Sequence, residues 1–476
     1  MTHAGWRLRV AGEGSITVWG GPVMKYLNGA VASVIALSLG VAVAHADVPQ
    51  AQVDRLGSDL TPVGAEKAGN GDDIPAWTGG LQTIPSNVAY KDGEHLKNPF
   101  PDDKVLYTVT GQNKDQYKKY LTPGQAEMLR LYDDYKLNVY KTRRTCAVPD
   151  NVYAATKRNA KVAQLVGNGN GVAKGIMGFP FPIPNNAYEI IWNHTLRYRS
   201  FKLIRQFAAM PVTSGGGYTP IIVQDQAILW WSDPSKRNAE ELDNTSIYYI
   251  ARTLAPARAA GNIVLVHEAI NSAKKPRQAW QYSPGTRRVR RAPNIAFDNP
   301  GVNTDGLSTA DSFDGYNGSL ERYTWTVLGK NERFAAENNY DMALAKYKDL
   351  IKARHLNQDL LRYEKRRLWE IEADLKSDTR HVYHRRVFHI DEDSWQIASA
   401  EMYDGRGDLW RVEELQGTTA YNVPLCGYAG QMDYDLKGSR YLASALNNEE
   451  PMVNFFADEL KANDYTPSSI RRMGSR

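Results

Sequence analysis

Apolar and polar residues alternate strictly between positions 369 and 375. Trp369 and Ile371 fall on one face of this stretch, and Glu370 and Glu372 fall on the other. A period of two residues is typical of a β-strand that buries one face and exposes the other. We therefore predict a half-buried strand here.

Short apolar runs separated by polar or glycine-rich turns recur along the chain. Such runs predict strands joined as hairpins. The predicted strands lie at 202–212, 221–232, 262–270, 381–390, 395–403 and 409–415. The chain is therefore predicted to be mainly β (α+β), and its second half to be an antiparallel meander.

Two helices are predicted before these strands. Thr122 and Gln125 form a capping box around Pro123, which suits the first position of a helix. The apolar spacing that follows predicts a helix to about Thr142. A second helix is predicted over 150–165, before a glycine-rich stop.

A β-hairpin is predicted between positions 278 and 291. Its strands are 278–283 and 286–291, joined by a Pro284-Gly285 turn, because proline and glycine suit adjacent positions of a tight turn. Trp280 and Tyr282 lie on one face of the first strand.

The second hairpin strand is strongly basic. Arg287, Arg288, Arg290 and Arg291 surround a single valine. One interpretation is that each arginine pairs with a carboxylate elsewhere in the sheet. The other is that they form a basic lip that contacts an anionic head group or an acidic partner.

The N-terminal 46 residues have the pattern of a secretory signal peptide. Lys25 precedes an apolar run over 30–44, and Ala44-His45-Ala46 supplies the small residues that an exporting peptidase reads. Met24 is the expected true start. We therefore expect a mature protein in the periplasm that begins near Asp47.

The next segment, 47–120, is predicted to be extended and to wrap the core. It is rich in glycine, proline and aspartate, a composition that cannot build its own core. Ile74, Trp77 and Leu81 are the expected contacts with the rest of the domain, which spans 121–476.

Composition narrows the functional classes. There are 58 Lys and Arg residues against 53 Asp and Glu, a balance that does not favour a nucleic-acid binder. Beyond the signal peptide, no apolar run is long enough to span a membrane. Cys146 and Cys426 could form a disulfide in an oxidising compartment, or remain two separate buried thiols.

Motifs for catalysis and metal binding are absent from the sequence. We find no nucleophile elbow, no zinc-protease helix, no P-loop and no dinucleotide fingerprint. The loop that carries Asp305, Asp311 and Asp314 lacks the spacing of a calcium loop and is expected at the surface, where it could pair with the arginines. We predict a non-enzymatic protein without metal or cofactor.

Several blocks, including the hairpin and the run Ile190–His194 with Arg197, resemble an uncharacterised exported family of Gram-negative bacteria, domain of unknown function 1329 (DUF1329). The resemblance covers nearly the whole mature chain. That family is grouped with the outer-membrane lipoprotein-sorting proteins of LolA/LolB type. The resemblance implies a curved antiparallel sheet, an unclosed β-barrel covered by helices.

The resemblance also implies a hydrophobic pocket. We predict that Trp280, Tyr282, Trp325, Trp369 and Trp395 line it, although the tryptophans could equally fill a closed core. The expected function is a periplasmic carrier or binding protein for a hydrophobic small molecule or lipid. Its expected partners are outer-membrane or transporter proteins. Contact with a membrane would be peripheral, and no nucleic acid is expected to bind.

The alternative is a structural or adaptor protein of an outer-membrane or efflux assembly. An internal apolar cavity distinguishes the two, because a carrier needs one and an adaptor does not.

Overall fold

The computed structural model describes residues 48–292 and 297–475; the predicted signal peptide lies outside these residues. The strands in the described residues are β1 Tyr107–Thr110, β2 Lys136–Val139, β3 Gln164–Val166, β4 Gly171–Ala173, β5 Lys202–Val212, β6 Ile221–Leu229, β7 Thr245–Ala255, β8 Ile263–Ala269, β9 Gln278–Ser283, β10 Arg288–Arg291, β11 Tyr323–Ala336, β12 Tyr363–Leu375, β13 Arg385–Asp391, β14 Ile397–Tyr403, β15 Leu409–Ala420, β16 Leu425–Asp435 and β17 Arg440–Leu446. The helices are α1 Gln50–Val53, α2 Pro123–Leu131, α3 Asp150–Val162, α4 Ala187–Thr195, α5 Tyr340–Leu344, α6 Tyr347–Leu350 and α7 Pro467–Gly474.

One sheet of 15 strands dominates the fold. Its order is β1-β2-β12-β13-β14-β15-β16-β17-β5-β6-β7-β8-β9-β10, with β11 also paired to β12. Strands β1 and β10 stand at opposite ends, so the sheet is not closed into a barrel. This confirms the prediction of a mainly β chain built on an open, largely antiparallel sheet.

Two meanders meet in the middle of this sheet. Strands β5 to β10 form one, and β12 to β17 form the other. Strand β17 pairs antiparallel with β5, where Leu442 lies opposite Pro211 and Ala443 lies opposite Met210. This pairing joins strands that are more than two hundred positions apart in the sequence.

Strand β12 is buried on both faces, unlike the half-buried strand that its alternation predicts. Ile371 packs in one hydrophobic core, and Tyr363 packs in another. The polar face is buried because other side chains neutralise it: Glu370 accepts a hydrogen bond from Arg333 Nε at 2.6 Å. Glu364 is likewise buried and accepts one from Arg362 Nε at 2.7 Å.

Helix α2 begins with the predicted capping box but ends earlier than predicted. The Thr122 hydroxyl accepts from the Gln125 N–H, and the Gln125 side chain accepts from the Thr122 N–H. The helix stops at Leu131 because the following residues, 136–139, pair with β1 as strand β2. Helix α3 ends at Val162, close to the prediction.

The predicted hairpin is present as β9 and β10. Val289 lies opposite Tyr282, and Arg291 lies opposite Trp280. The second strand begins at Arg288 rather than at Thr286, so four residues, 284–287, form the connection.

The N-terminal segment 48–106 contains little regular structure apart from α1. Leu81 donates its N–H to the carbonyl oxygen of Thr145 at 2.8 Å, and Ile74 is buried. Trp77 is half-buried, with its Nε1 3.5 Å from the carbonyl oxygen of Cys146. This segment belongs to the same compact unit as the sheet.

Candidate functional site

A cavity of about 910 Å³ lies against one face of strands β5 to β9. Alternate residues of each strand point into it, because alternate positions of a strand face the same side of a sheet. The strand residues that line it include Leu203, Arg205, Phe207, Ala209, Val223, Asp225, Ala227, Leu229, Ile247, Tyr249, Ala251, Val264, Val266, Glu268 and Ala279. Most are apolar, so the strands supply a hydrophobic wall.

The connection between β10 and β11 completes the lining, together with the end of α4 and parts of β16 and β17. In that connection, Phe313 packs near Tyr249, with ring centroids 6.2 Å apart. Phe313 and Val302 line the cavity and are also exposed, at 36% and 45%. These two residues therefore mark a mouth of the cavity.

A charged group on the sheet wall is fully paired. Arg205 donates two hydrogen bonds to Asp225, from Nη2 at 2.7 Å and from Nε at 3.3 Å. The Tyr249 hydroxyl donates to the same carboxylate at 3.2 Å. Burial raises the pKa of Tyr249 well above its ordinary value, and the Asp225 charge adds to this, so the hydroxyl keeps its proton.

A second charged group joins the segment that follows α4 to the β10–β11 connection. Asp314 accepts hydrogen bonds from Arg197 Nη2 and, at 2.5 Å, from Arg199 Nη1. Burial of Asp314 opposes its ionisation, but the two guanidinium groups outweigh that effect and lower its pKa to about 2. Asp314 is therefore an anion shared by two cations.

His194 holds this connection against α4. Its Nε2 lies 2.8 Å from the carbonyl oxygen of Asp314, and its Nδ1 accepts from the Ile397 N–H at 3.1 Å. Burial lowers the pKa of His194 to about 3, so the ring is neutral. Its role is structural, because both nitrogens are occupied by the backbone.

A third pair lies where β8 leads into the hairpin. Arg277 Nε and Glu268 Oε1 are 2.6 Å apart. Burial raises the pKa of Glu268, and the charge of Arg277 opposes that shift. Arg277 also donates to the carbonyl oxygen of Asn317 at 2.6 Å, which ties the sheet to the β10–β11 connection.

The acidic loop differs from its predicted surface position. Asp311 and Asp314 are buried, whereas Asp305 pairs with Arg440 at the surface. Asp311 accepts from Arg386 Nη1 at 3.0 Å. The carboxylates do pair with arginines, but with arginines of other elements rather than with those of the hairpin.

The two predicted aromatic residues of the hairpin do not line the cavity. Ala279 faces the cavity, so the alternation of β9 sends Trp280 and Tyr282 to the opposite side of the sheet. There they pack with the C-terminal segment, and the Tyr282 hydroxyl donates to the carbonyl oxygen of Gly474 at 2.9 Å.

The other three predicted aromatic residues belong to a packed core outside the cavity lining. Trp325 stacks on Phe388 with ring centroids 5.7 Å apart. Trp369 stacks on Trp395 at 6.3 Å, and the Trp395 Nε1 donates to the carbonyl oxygen of Val63 at 2.9 Å. The tryptophans that do line the cavity are Trp192 and Trp231.

The hairpin arginines are exposed. Arg291 lines the cavity, whereas Arg287, Arg288 and Arg290 are not part of its lining. The four arginines therefore do not form a continuous basic lip around the cavity.

Cys146 and Cys426 form a disulfide. Cys426 also lines the cavity, so the bond fixes one cavity-lining strand, β16, to the segment before α3.

Within 48–292 and 297–475, no group of three His, Cys, Asp or Glu side chains is arranged to hold a metal ion. None of the helices in those ranges combines the length and apolar character needed to cross a bilayer.

The cavity residues that sequence reasoning missed share one feature. Arg205, Asp225 and Glu268 are single charged residues at positions that alternate with apolar ones on the cavity side of their strands. A charge at an inward position is costly unless it is paired. That pattern could have directed attention to these strands, but not to the partners of each charge.

Residues 108–471 match the family described as "Protein of unknown function (DUF1329)". The chain is 45% identical over 447 residues to the uncharacterised protein PA3922 of Pseudomonas aeruginosa, covering 93% of this chain and 98% of that protein.

Two solved structures share parts of the architecture. A domain from Vibrio parahaemolyticus, described as a candidate outer membrane lipoprotein-sorting protein, has a TM-score of 0.42 and 12% identity, covering 60% of this chain and 97% of that one. A DUF1329 family protein from Desulfovibrio piger has a TM-score of 0.39 and 12% identity, covering 57% and 92%.

Proposed function

The chain belongs to the DUF1329 family, and from its cavity we propose that it is a non-enzymatic periplasmic carrier or binding protein for a hydrophobic or lipid-like ligand. The ligand would leave water by entering the space between strands β5–β9 and the β10–β11 connection. Delivery to or from the outer membrane, or a transport system, would follow from release at a partner.

The observation that carries this proposal is the size and chemistry of the cavity. Protein interiors are close-packed and contain few voids larger than a water molecule. A space of about 910 Å³ lined mainly by apolar side chains is in the range of small-molecule sites. Burying apolar ligand surface there gains roughly 25 cal/mol per Å² removed from water.

The same observation weighs against the adaptor alternative. An adaptor docks through its outer surface and gains nothing from an unfilled interior. Filling this cavity with side chains would stabilise such a protein by additional van der Waals contact. A retained hydrophobic space is therefore better explained by an occupant.

Two features of the chain support the periplasmic part of the proposal. The first 46 residues have the charged, apolar and small-residue regions of a signal peptide. The Cys146–Cys426 disulfide suits an oxidising compartment.

The experiment that tests the proposal is native mass spectrometry of protein purified from periplasm, with lipid extraction of the same sample. We expect a hydrophobic molecule at near-stoichiometric amount. A mass equal to that of the polypeptide alone, unchanged after incubation with mixed lipids, would contradict a carrier function.

A further inference from the structure

We propose that Arg199, supported by Tyr428, binds the negatively charged head of an amphipathic ligand inside the cavity. This inference rests on the proposed carrier function and specifies its ligand class: an apolar body that ends in a compact oxyanion, such as a carboxylate or a phosphate monoester. The sequence predicts that the hairpin arginines contact such a head group. We place the contact inside the cavity, at Arg199.

The first observation is an imbalance of charge. Arg205 has Asp225 and Arg277 has Glu268, so each of these cations faces its own carboxylate. Arg197 and Arg199 share the single carboxylate of Asp314. The Arg197–Arg199–Asp314 group therefore has a net charge of +1.

This imbalance extends to the whole described lining, which contains five arginines and four acidic residues. The arginines are Arg197, Arg199, Arg205, Arg277 and Arg291, and the acids are Asp225, Glu268, Asp314 and Glu321. A buried cation is costly unless an anion compensates it. A ligand that supplies one negative charge would complete the balance.

The second observation identifies Arg199 as the cation with capacity left for a ligand. The Arg197 side chain is 2% accessible and is used by Asp314 and by the carbonyl oxygen of His194. The Arg199 side chain is 23% accessible and lines the cavity. Its Nη1 donates to Asp314, and its Nη2 makes only a long contact, 3.3 Å, with the carbonyl oxygen of Thr195.

The Nε of Arg199 is buried and has no hydrogen-bond acceptor among the described residues. A guanidinium group has five N–H donors in a fixed plane and suits two-point binding of an oxyanion. Burial lowers the pKa of Arg199 and the neighbouring Arg197 lowers it further, although Asp314 opposes them. A bound anion would remove the cost that this environment places on the cation.

The third observation concerns Tyr428 on β16, which also lines the cavity. Burial raises the pKa of Tyr428 and Asp314 raises it further, while Arg205, Arg197 and Arg199 lower it. Its hydroxyl is therefore protonated at neutral pH. A protonated phenol in the lining of the same cavity as Arg199 can donate a hydrogen bond to an oxyanion bound there.

The test compares three probes with the same twelve-carbon chain: dodecanoate, dodecyl phosphate and dodecanol. Dissociation constants are measured by calorimetry on the purified full chain and its variants. We expect the protein to bind the two anions at least about tenfold more tightly than the alcohol, as charge-assisted hydrogen bonds are stronger than neutral ones. The anion with the smaller dissociation constant identifies the head group as carboxylate or phosphate.

Arg199→Gln should abolish this preference without weakening the binding of dodecanol. Tyr428→Phe should reduce anion affinity by about two- to tenfold, as expected for the loss of one hydrogen bond. Arg258→Gln, at an exposed residue outside the cavity lining, is the matched control and should leave all three constants unchanged. Thermal unfolding of each variant establishes that it is folded. If Arg199→Gln is not folded, Arg199→Lys replaces it; lysine keeps the charge but lacks the planar pair of donors, so the preference for anions should be reduced rather than abolished.

The outcomes separate the inference from the function on which it rests. If none of the three probes binds, the carrier function itself is contradicted. If dodecanol binds as tightly as the anions, the cavity carries ligands but has no anion site. If the preference persists in folded Arg199→Gln, or is undiminished in Arg199→Lys where that variant is the one used, Arg199 is not the site and the inference is overturned.

Discussion

Glu413 and Asp433 lie directly opposite each other on β15 and β16, and both carboxyl groups are buried. Burial raises the pKa of Asp433 to about 7, against the opposing charge of Arg411. Burial and then the charge of Asp433 raise the pKa of Glu413 well above its ordinary value. The folded protein therefore holds at least one proton that the unfolded chain releases near pH 4.

This pair predicts that the free energy of unfolding falls as pH rises from about 5 to about 8. Where the folded state binds more protons than the unfolded state, stability decreases with increasing pH. The raised pKa of Glu337, about 8, and of His389, about 9, act in the same direction. Urea unfolding at about pH 5 and about pH 8 measures the difference in the free energy of unfolding.

Glu413→Gln should reduce this pH dependence, because glutamine is neutral at every pH. At pH 8 we expect the variant to be more stable than the parent protein, since the parent must there either keep a proton that the unfolded chain has released or bury a second negative charge. Glu459→Gln, at an exposed position, is the control and should leave the slope unchanged. A variant with the parent's full slope would show that Glu413 does not hold the proton.

The disulfide predicts a large loss of stability on removal. Cys146 and Cys426 are 280 positions apart, so their bond closes a very long loop. Replacing both with alanine should lower the free energy of unfolding by roughly 2–5 kcal/mol. The parent protein under reducing conditions should show a similar loss, and equal stability in both redox states would contradict this prediction.

Trp395 is predicted to matter for stability rather than for ligand binding. It is fully buried outside the cavity lining, so Trp395→Ala should cost about 3–5 kcal/mol. Phe313→Ala, at the exposed mouth, should instead weaken binding of an apolar probe at little cost in stability. Urea unfolding measures the stability of the two variants, and calorimetry measures their affinity for the probe per folded molecule. If Trp395→Ala loses affinity but not stability, Trp395 belongs to the ligand site.

Narrowing the cavity should weaken binding directly. Ala251 on β7 lines the cavity, and Ala251→Trp would fill part of it. We expect at least a tenfold loss of affinity for an apolar probe, about 1.4 kcal/mol. Ala154→Trp, on the exposed side of α3, is the matched control. Unchanged affinity in a folded Ala251→Trp variant would place the ligand elsewhere.

The alternation of residues predicted individual strands well, because burial of one strand face leaves a period-two signal. This signal predicts strands of the meander from β12 to β15, whereas the hairpin at 278–291 is predicted from its Pro284-Gly285 turn. Helix α2 is shorter than the sequence predicts, since apolar residues at 137 and 139 fit a helix as well as the strand they form. Strand pairing with β1, a tertiary contact, decided between the two.

The faces of the strands were harder to assign. In β9, sequence alone separates Ala279 from Trp280 and Tyr282, but it does not say which side holds ligand. Aromatic residues commonly line hydrophobic pockets, so the sequence favours the side that carries the large aromatic pair. In the structure, the C-terminal segment covers that pair and leaves the small alanine facing the cavity.

The sequence by itself determined the strand-rich character of the chain, its capped helix and its resemblance to an exported family, because these depend on local periodicity and on matching blocks. The tertiary structure decided which charges meet and where space remains. Arg199 and Asp314 are 115 positions apart, and β17 reaches β5 across an even longer interval. Such contacts form only when the chain folds back on itself, so local sequence patterns do not predict them. The cavity is the volume left between elements that are distant from one another in the sequence.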